Sequence, residues 1–143
     1  MIEQFKEPYR WLSNFWKFNT PLEYQNLLFP TVEHFYVAMK TTSWDLRHQA
    51  SLTDRPKSFG RGLELREDWE QIKLDVMLYA TRYKYSELNP NLRRKLLNTG
   101  EEYIQEGNWW GDKFWGVCLK TGEGENNLGK IIMQVREEIR DAI

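Results

Sequence analysis

The chain is poor in the residues that hold metals or close disulfides. Of its 143 residues one is cysteine, Cys118, and two are histidine, His34 and His48. A lone cysteine permits no intramolecular disulfide and fits a reducing compartment. These residues lack zinc spacing and the carboxylates form no calcium loop, so no metal is expected. Charge of one sign is also missing. Lys plus Arg total 20 against 21 Asp plus Glu, a net charge of −1, which leaves no global field to gather nucleic acid or an anionic membrane. No segment approaches the roughly 20 apolar residues of a bilayer span, and Met1 to Arg10 hold no signal-peptide core. The expectation is a cytoplasmic protein with no membrane partner. Repeats, low-complexity tracts and Gly/Ser/Pro linkers are absent, so residues 1–143 read as one domain. There is no phosphate-binding G-x-x-x-x-G-K-[ST], no strand-borne G-x-G-x-x-G and no G-x-S-x-G elbow. Cys118 lacks a His and Asn framework for thiol catalysis.

What is abundant is aromatic: 15% of residues, with seven each of Trp, Tyr and Phe. Such rings build a core, and some can line a pocket for a flat ligand. The pattern predicts strands over Asn14–Asn19 and Tyr24–Phe29, joined by a turn at Thr20-Pro21. Thr31 caps a helix running to about Lys40, and Ser43 caps a second through Leu52. Thr53 or Asp54 starts a short third helix, which Gly60 and Gly62 end. Glu67–Tyr85 is the clearest helix, with Trp69, Ile72, Val76, Tyr79, Ala80 and Tyr83 as its apolar stripe. Asn89-Pro90 opens a helix over Asn91–Asn98. Leu128, Ile131, Ile132, Val135 and Ile139 give the last helix its buried face. Between Gly100 and Leu128 periodicity disappears among glycines and three tryptophans, which marks a segment that carries function.

Two carboxylates stand out in this frame. Glu33 lies in a helical first turn, where a solvated Glu is common because the dipole favours it. Asp112 lies in Gly111-Asp112-Lys113-Phe114-Trp115-Gly116, where an Asp can simply hold a turn. Both also fit glycosidic bond cleavage, which needs carboxylates to stabilise an oxocarbenium ion or activate water. Lys40, Arg61 and Lys84 are candidate phosphate ligands, or else surface cations. Trp69 reads as core or base-stacker, while Trp115, between turn residues and glycines, is harder to explain by packing.

Taken in order, these segments resemble the NADAR family, also called YbiA-like. Leu12-Ser13-Asn14-Phe15 is similar to its LSNF. Pro30-Thr31-Val32-Glu33-His34 is similar to its P-[ST]-V-E-H, followed by Ala38 and Lys40 as in its A-x-K. Gly60-Arg61, Arg66-x-x-Trp69 with Met77, Lys84-Tyr85 and Leu97-x-Thr99-Gly100 follow. Asp112-x-x-Trp115-Gly116, Gly124-x-Asn126-x-Leu128-Gly129 and Met133 with Arg136 complete the series. The resemblance implies a compact single domain, mainly α-helical with a small β element, at the border of α+β. It implies N-glycosidase activity on a phosphoribosyl small molecule such as an early riboflavin intermediate, with no metal or organic cofactor. Two alternatives are an ADP-ribosylhydrolase acting on modified guanine in nucleic acid, and a non-catalytic ADP-ribose or NAD-binding module. The family's functional Glu, Trp and Asp carry onto Glu33, Trp69 and Asp112. Substrate contacts are expected from Asn14, His34, Lys40, Arg61, Lys84, Trp115, Gly116 and Asn126. Asn108-Trp109-Trp110 departs from the pattern by adding two rings just before Asp112. The oligomeric state is left open.

Overall fold

A computed structural model describes residues 1–143. Its elements group into two units, one of residues 14–90 and one of residues 1–13 with 91–143. The fold is mainly helical with very little sheet.

The central unit opens with a hairpin, β1 (Leu22–Tyr24) against β2 (Leu27–Phe29), paired antiparallel with Leu22 opposite Phe29. Its turn is Gln25-Asn26, both in the left-handed region at φ 53° and 63°. Two successive positive-φ residues are what a two-residue hairpin turn needs to match strand twist. This corrects the expected strand over Asn14–Asn19 and the turn at Thr20-Pro21. Residues 14–19 form no strand, and Phe15 and Trp16 point outward while Phe18 is buried. The turn lies inside the segment read as the second strand.

Four helices follow: α1 (Val32–Ala38), α2 (Trp44–Leu52), α3 (Pro56–Arg61) and α4 (Trp69–Lys84). Thr31 Oγ1 accepts from His34 N at 3.1 Å and Ser43 Oγ from Leu46 N at 3.2 Å, so both expected caps are in place. α3 starts later than expected, with Pro56 at its first position, where a missing N–H costs nothing. α1 packs on α2, α3, α4 and β2 and is the hub of the unit. The buried side of α4 is Trp69, Met77, Ala80, Thr81 and Lys84, rotated from the expected stripe. Ile72, Val76 and Tyr83 are half-buried and Tyr79 is exposed, although Tyr79 stacks on Phe35 at 5.4 Å. Apolar periodicity missed this rotation because the true face includes a threonine and a lysine.

The terminal unit holds a 3-10 turn at Arg10–Leu12, α5 (Pro90–Asn98), β3 (Gly107–Asn108), β4 (Val117–Cys118) and α6 (Asn127–Asp141). β3 and β4 pair in parallel, and Ile2 bridges to Ile104 beside them. The five expected apolar residues of α6 are all buried. Arg136 is buried with them and donates to Thr99 Oγ1 at 2.9 Å. No helix is long and apolar enough to cross a membrane.

Candidate functional site

Six of the seven residues of α1 are buried, and Glu33 alone is half-exposed. Its backbone N–H, one of the orphan donors of a helix start, is taken by the Asn14 carbonyl at 3.0 Å. The Asn14 side chain reaches Met77 Sδ at 3.7 Å. Asn14 thus holds the start of α1 against α4.

Tyr36 follows Glu33 by one turn on the same face of α1, and Lys40 lies in the turn just past the end of that helix. Lys40 Nζ lies 5.5 Å from the Tyr36 ring centre. Tyr36 meets Trp69 edge-to-face with ring centres 5.1 Å apart. Burial lowers the Lys40 pKa, the Glu33 carboxylate opposes that fall, and Arg61 and Lys57 add to it. Glu33, Arg61 and Lys57 thus all act on the Lys40 charge. Gly60 makes this approach possible. A Cβ there would stand 2.9 Å from a Val37 methyl and 3.5 Å from Lys40 Nζ, so only glycine lets α3 lie this close to α1 without displacement. The result is one carboxylate beside three cations and two rings. Such a set can hold a phosphorylated sugar and present a carboxylate to it. Tyr36 and Lys57 were not singled out from the sequence. Their spacing from Glu33 and from Arg61, three and four residues on helices, was the available signal.

A cavity of about 620 Å³ opens nearby in the same unit, lined by Thr41, Leu46, Glu64, Arg66, Glu67 and Asp68 among others. Three carboxylates against one guanidinium suit it poorly to an anion. The Arg66 guanidinium is already bound to Asp68 at 2.6 Å, and its backbone N–H donates to the Lys40 carbonyl at 2.8 Å. Arg66 therefore ties the end of α1 to the start of α4.

His34 is spent inside the protein. Nε2 stands 2.7 Å from the Thr53 carbonyl, which can only accept, so Nε2 carries the proton. Nδ1 then accepts from the Thr31 hydroxyl at 2.6 Å. Burial lowers its pKa, with the Thr53 carbonyl opposing and Lys17 assisting. This histidine links α1 to the end of α2 and has no ring nitrogen left for a ligand.

Lys84 is 2% exposed at the far end of α4. Burial pulls its pKa down to about 7. Trp69 and Lys84 stand about 22 Å apart along the helix axis, at 1.5 Å per residue.

In the terminal unit Asp112 holds a turn. Its Oδ1 accepts from Phe114 N at 3.1 Å and from Trp115 N at 3.0 Å. Both bonds fall on one oxygen, which fixes the orientation of the carboxylate. Trp115 is half-buried and meets Phe114 edge-to-face at 4.8 Å. At Gly116 a Cβ would overlap the Glu106 carboxylate and carbonyl, so this glycine serves the close approach of two chain segments. Asn126 sits in the left-handed region at φ 53°. Its Oδ1 accepts from Glu106 N at 2.9 Å, and its Nδ2 donates to the Ile104 carbonyl at 2.9 Å and the Tyr103 hydroxyl at 3.3 Å. At 2% exposure this side chain is a peg for residues 103–106. Asn126→Ala is expected to cost about 2–4 kcal/mol, since it orphans a buried N–H and a buried carbonyl. Urea melts measure this, and a change under 1 kcal/mol would deny the peg.

No three His, Cys, Asp or Glu side chains converge as a metal site would require.

Comparison with known proteins gives these residues a context. The NADAR domain model matches residues 2–140. A Nostoc punctiforme protein named as an N-glycosidase is 37% identical, with 96% of this chain and 90% of that protein aligned. A Vibrio vulnificus riboflavin biosynthesis protein is 35% identical over 78% of this chain, though the match spans only 31% of that longer protein. The NMR structure of Escherichia coli YbiA superposes with a TM-score of 0.81 at 29% identity, covering 99% of this chain and 88% of that one. YbiA itself is named an N-glycosidase. With the family model matching almost end to end, this chain belongs to the NADAR domain family.

Proposed function

We propose that this protein is an N-glycosidase that hydrolyses the N-glycosidic bond of a phosphorylated ribosyl compound. The observation that carries the reading is Glu33. It is the one half-exposed residue of an otherwise buried helix, beside Lys40, Arg61 and Lys57 and on the face that bears Tyr36. The names of the relatives support the reaction type. Those of the riboflavin biosynthesis proteins support a phosphoribosyl intermediate of that chemistry as substrate.

Lys40 and Arg61 bind phosphate oxygens, with Lys57 adding to the local field. The sugar lies with C1′ toward Glu33. As the C1′–N bond breaks, the electron pair leaves with the nitrogen and positive charge develops on the ribose. The Glu33 carboxylate stabilises that charge and accepts a proton from the attacking water. The water oxygen bonds to C1′, and the departing nitrogen takes a proton from solvent, to which Glu33 later returns its own. Asp112 is carried over from the family pattern as a second carboxylate.

A product assay tests this. Incubation with riboflavin-pathway phosphoribosyl intermediates is expected to release ribose 5-phosphate and the free base. Release of ADP-ribose only, from ADP-ribosylated guanine, would replace this substrate class by the nucleic-acid one. Tight binding of ADP-ribose without any cleavage would replace catalysis by recognition.

A further inference from the structure

Lys40 lies beyond Ala38, the last residue of α1. A helix end leaves its final carbonyls without intrahelical partners. Here the carbonyls of Met39, Lys40 and Thr41 all find donors on two arginines from other elements. Arg66 Nη1 donates to the Met39 carbonyl at 3.4 Å, and Arg66 N–H donates to the Lys40 carbonyl at 2.8 Å. From α2, Arg47 Nε donates to the Thr41 carbonyl at 2.9 Å. The peptide groups on both sides of Lys40 are thus held.

Both guanidiniums are themselves fixed. Arg66 forks onto Asp68, with Nε to Oδ1 at 2.6 Å and Nη2 to Oδ2 at 3.3 Å. Arg47 is 6% exposed, and its Nη1 donates to Gln25 Oε1 at 2.7 Å in the hairpin turn. All these residues belong to the central unit. A lysine ammonium rides on a flexible four-carbon stem. Its position is therefore only as definite as its backbone anchor and the walls beside the stem. Tyr36 and Gly60 are the walls, and the two arginines secure the anchor.

We infer that Arg47 and Arg66 are positioning residues that hold the Lys40 backbone so that its ammonium meets the substrate phosphate. The inference rests on the reading given above for Lys40 as a phosphate ligand, and it adds the residues that place that ligand. With either hold removed, the Lys40 peptide gains freedom that binding must then take away, so affinity falls.

A double-mutant cycle tests this, with calorimetric binding of ribose 5-phosphate to wild type, K40A, R66A, R47K, K40A/R66A and K40A/R47K. K40A is expected to weaken binding at least about tenfold, as loss of a charged hydrogen-bond donor does. R66A and R47K should each weaken it about three- to tenfold. Each pair should bind no more weakly than K40A alone, because a residue acting through Lys40 then has nothing left to act on. An arginine that only supports the fold lowers the thermal midpoint in both backgrounds and shows no such coupling. R47K keeps the charge and one donor, so it decides the matter even where R66A does not fold. Unchanged affinity in the two arginine variants overturns the inference. So do additive losses in the pairs, which would make the arginines act independently of Lys40. Absent wild-type binding, or an unchanged K40A, overturns it as well, since Lys40 then meets no phosphate. Turnover is measured separately. A wild type that hydrolyses no N-ribosyl phosphate sinks the N-glycosidase reading, while the binding cycle still decides the role of the arginines.

Discussion

Glu33→Gln is expected to lower turnover of an N-ribosyl phosphate by about 10²- to 10⁴-fold while the protein stays folded. Glutamine keeps the volume and one carbonyl acceptor, so the packing of α1 is retained. What is lost is the negative charge and the proton acceptor. The stability change should be small, because a first-turn carboxylate contributes only about 0.3–1 kcal/mol through the helix dipole. The charge balance adds a second readout. Glu33 opposes the depression of the Lys40 pKa, so its negative charge acts on that cation with the same sign as a phosphate. Removing its charge should leave ribose 5-phosphate binding as tight or tighter. The expected signature is therefore a collapsed kcat with no loss of ligand affinity. Single-turnover kinetics, ligand titration and a thermal melt on the same preparation decide it. Turnover within tenfold of wild type would remove Glu33 from the chemistry.

The second large effect concerns Lys84 and the pH dependence of stability. Its folded pKa is lowered by burial to about 7 from the ordinary 10.5. Below pH 7 both folded and unfolded states carry the proton, and burial penalises the charge in the folded state. Between pH 7 and 10.5 the unfolded state holds more protons than the folded one, so stability rises with pH. A shift of this size corresponds to a ceiling of about 5 kcal/mol, and a gain of about 2–4 kcal/mol by pH 9.5 is expected. His34, with its lowered pKa, changes charge below this window. Burial raises Tyr85 beyond the top of it, and the unfolded tyrosine titrates only near pH 10. Lys84→Met, which keeps the apolar stem, should flatten the slope and stabilise the protein at pH 6.5. Urea melts at pH 6.5, 8 and 9.5 measure both. A parallel pH profile in the two proteins would show that Lys84 does not drive the slope. An anion delivered to Lys84 would restore its charge and take up a proton, so such binding should strengthen as pH falls.

Several features were legible in the sequence because their causes are local. Thr31 and Ser43 cap the helices they precede, since a hydroxyl oxygen three residues before an orphan N–H needs no distant partner. The α6 face was readable because its buried residues are almost all apolar and recur at helical spacing. The order of short motifs along the chain was enough to place it in its family.

The hairpin position, the α4 face and the fate of several polar side chains were decided elsewhere. Leu22 and Tyr24 became the first strand because Gln25 and Asn26 adopted left-handed backbone, which no aromatic pattern encodes. His34 and Asn126 occupy motif positions that suggest ligand contact, yet their hydrogen-bonding groups are taken by carbonyls and N–H groups far along the chain.

The two carboxylates of the first reading separate on the same ground. Residue type and motif order determined by themselves that Glu33 and Asp112 were the groups to watch. Tertiary structure alone decided that Glu33 shares a field with Lys40, Arg61 and Lys57, while Asp112 fixes a turn through one oxygen. The reason is physical: a charge or a hydrogen bond acts over a few ångströms of space, whatever the number of residues between its partners.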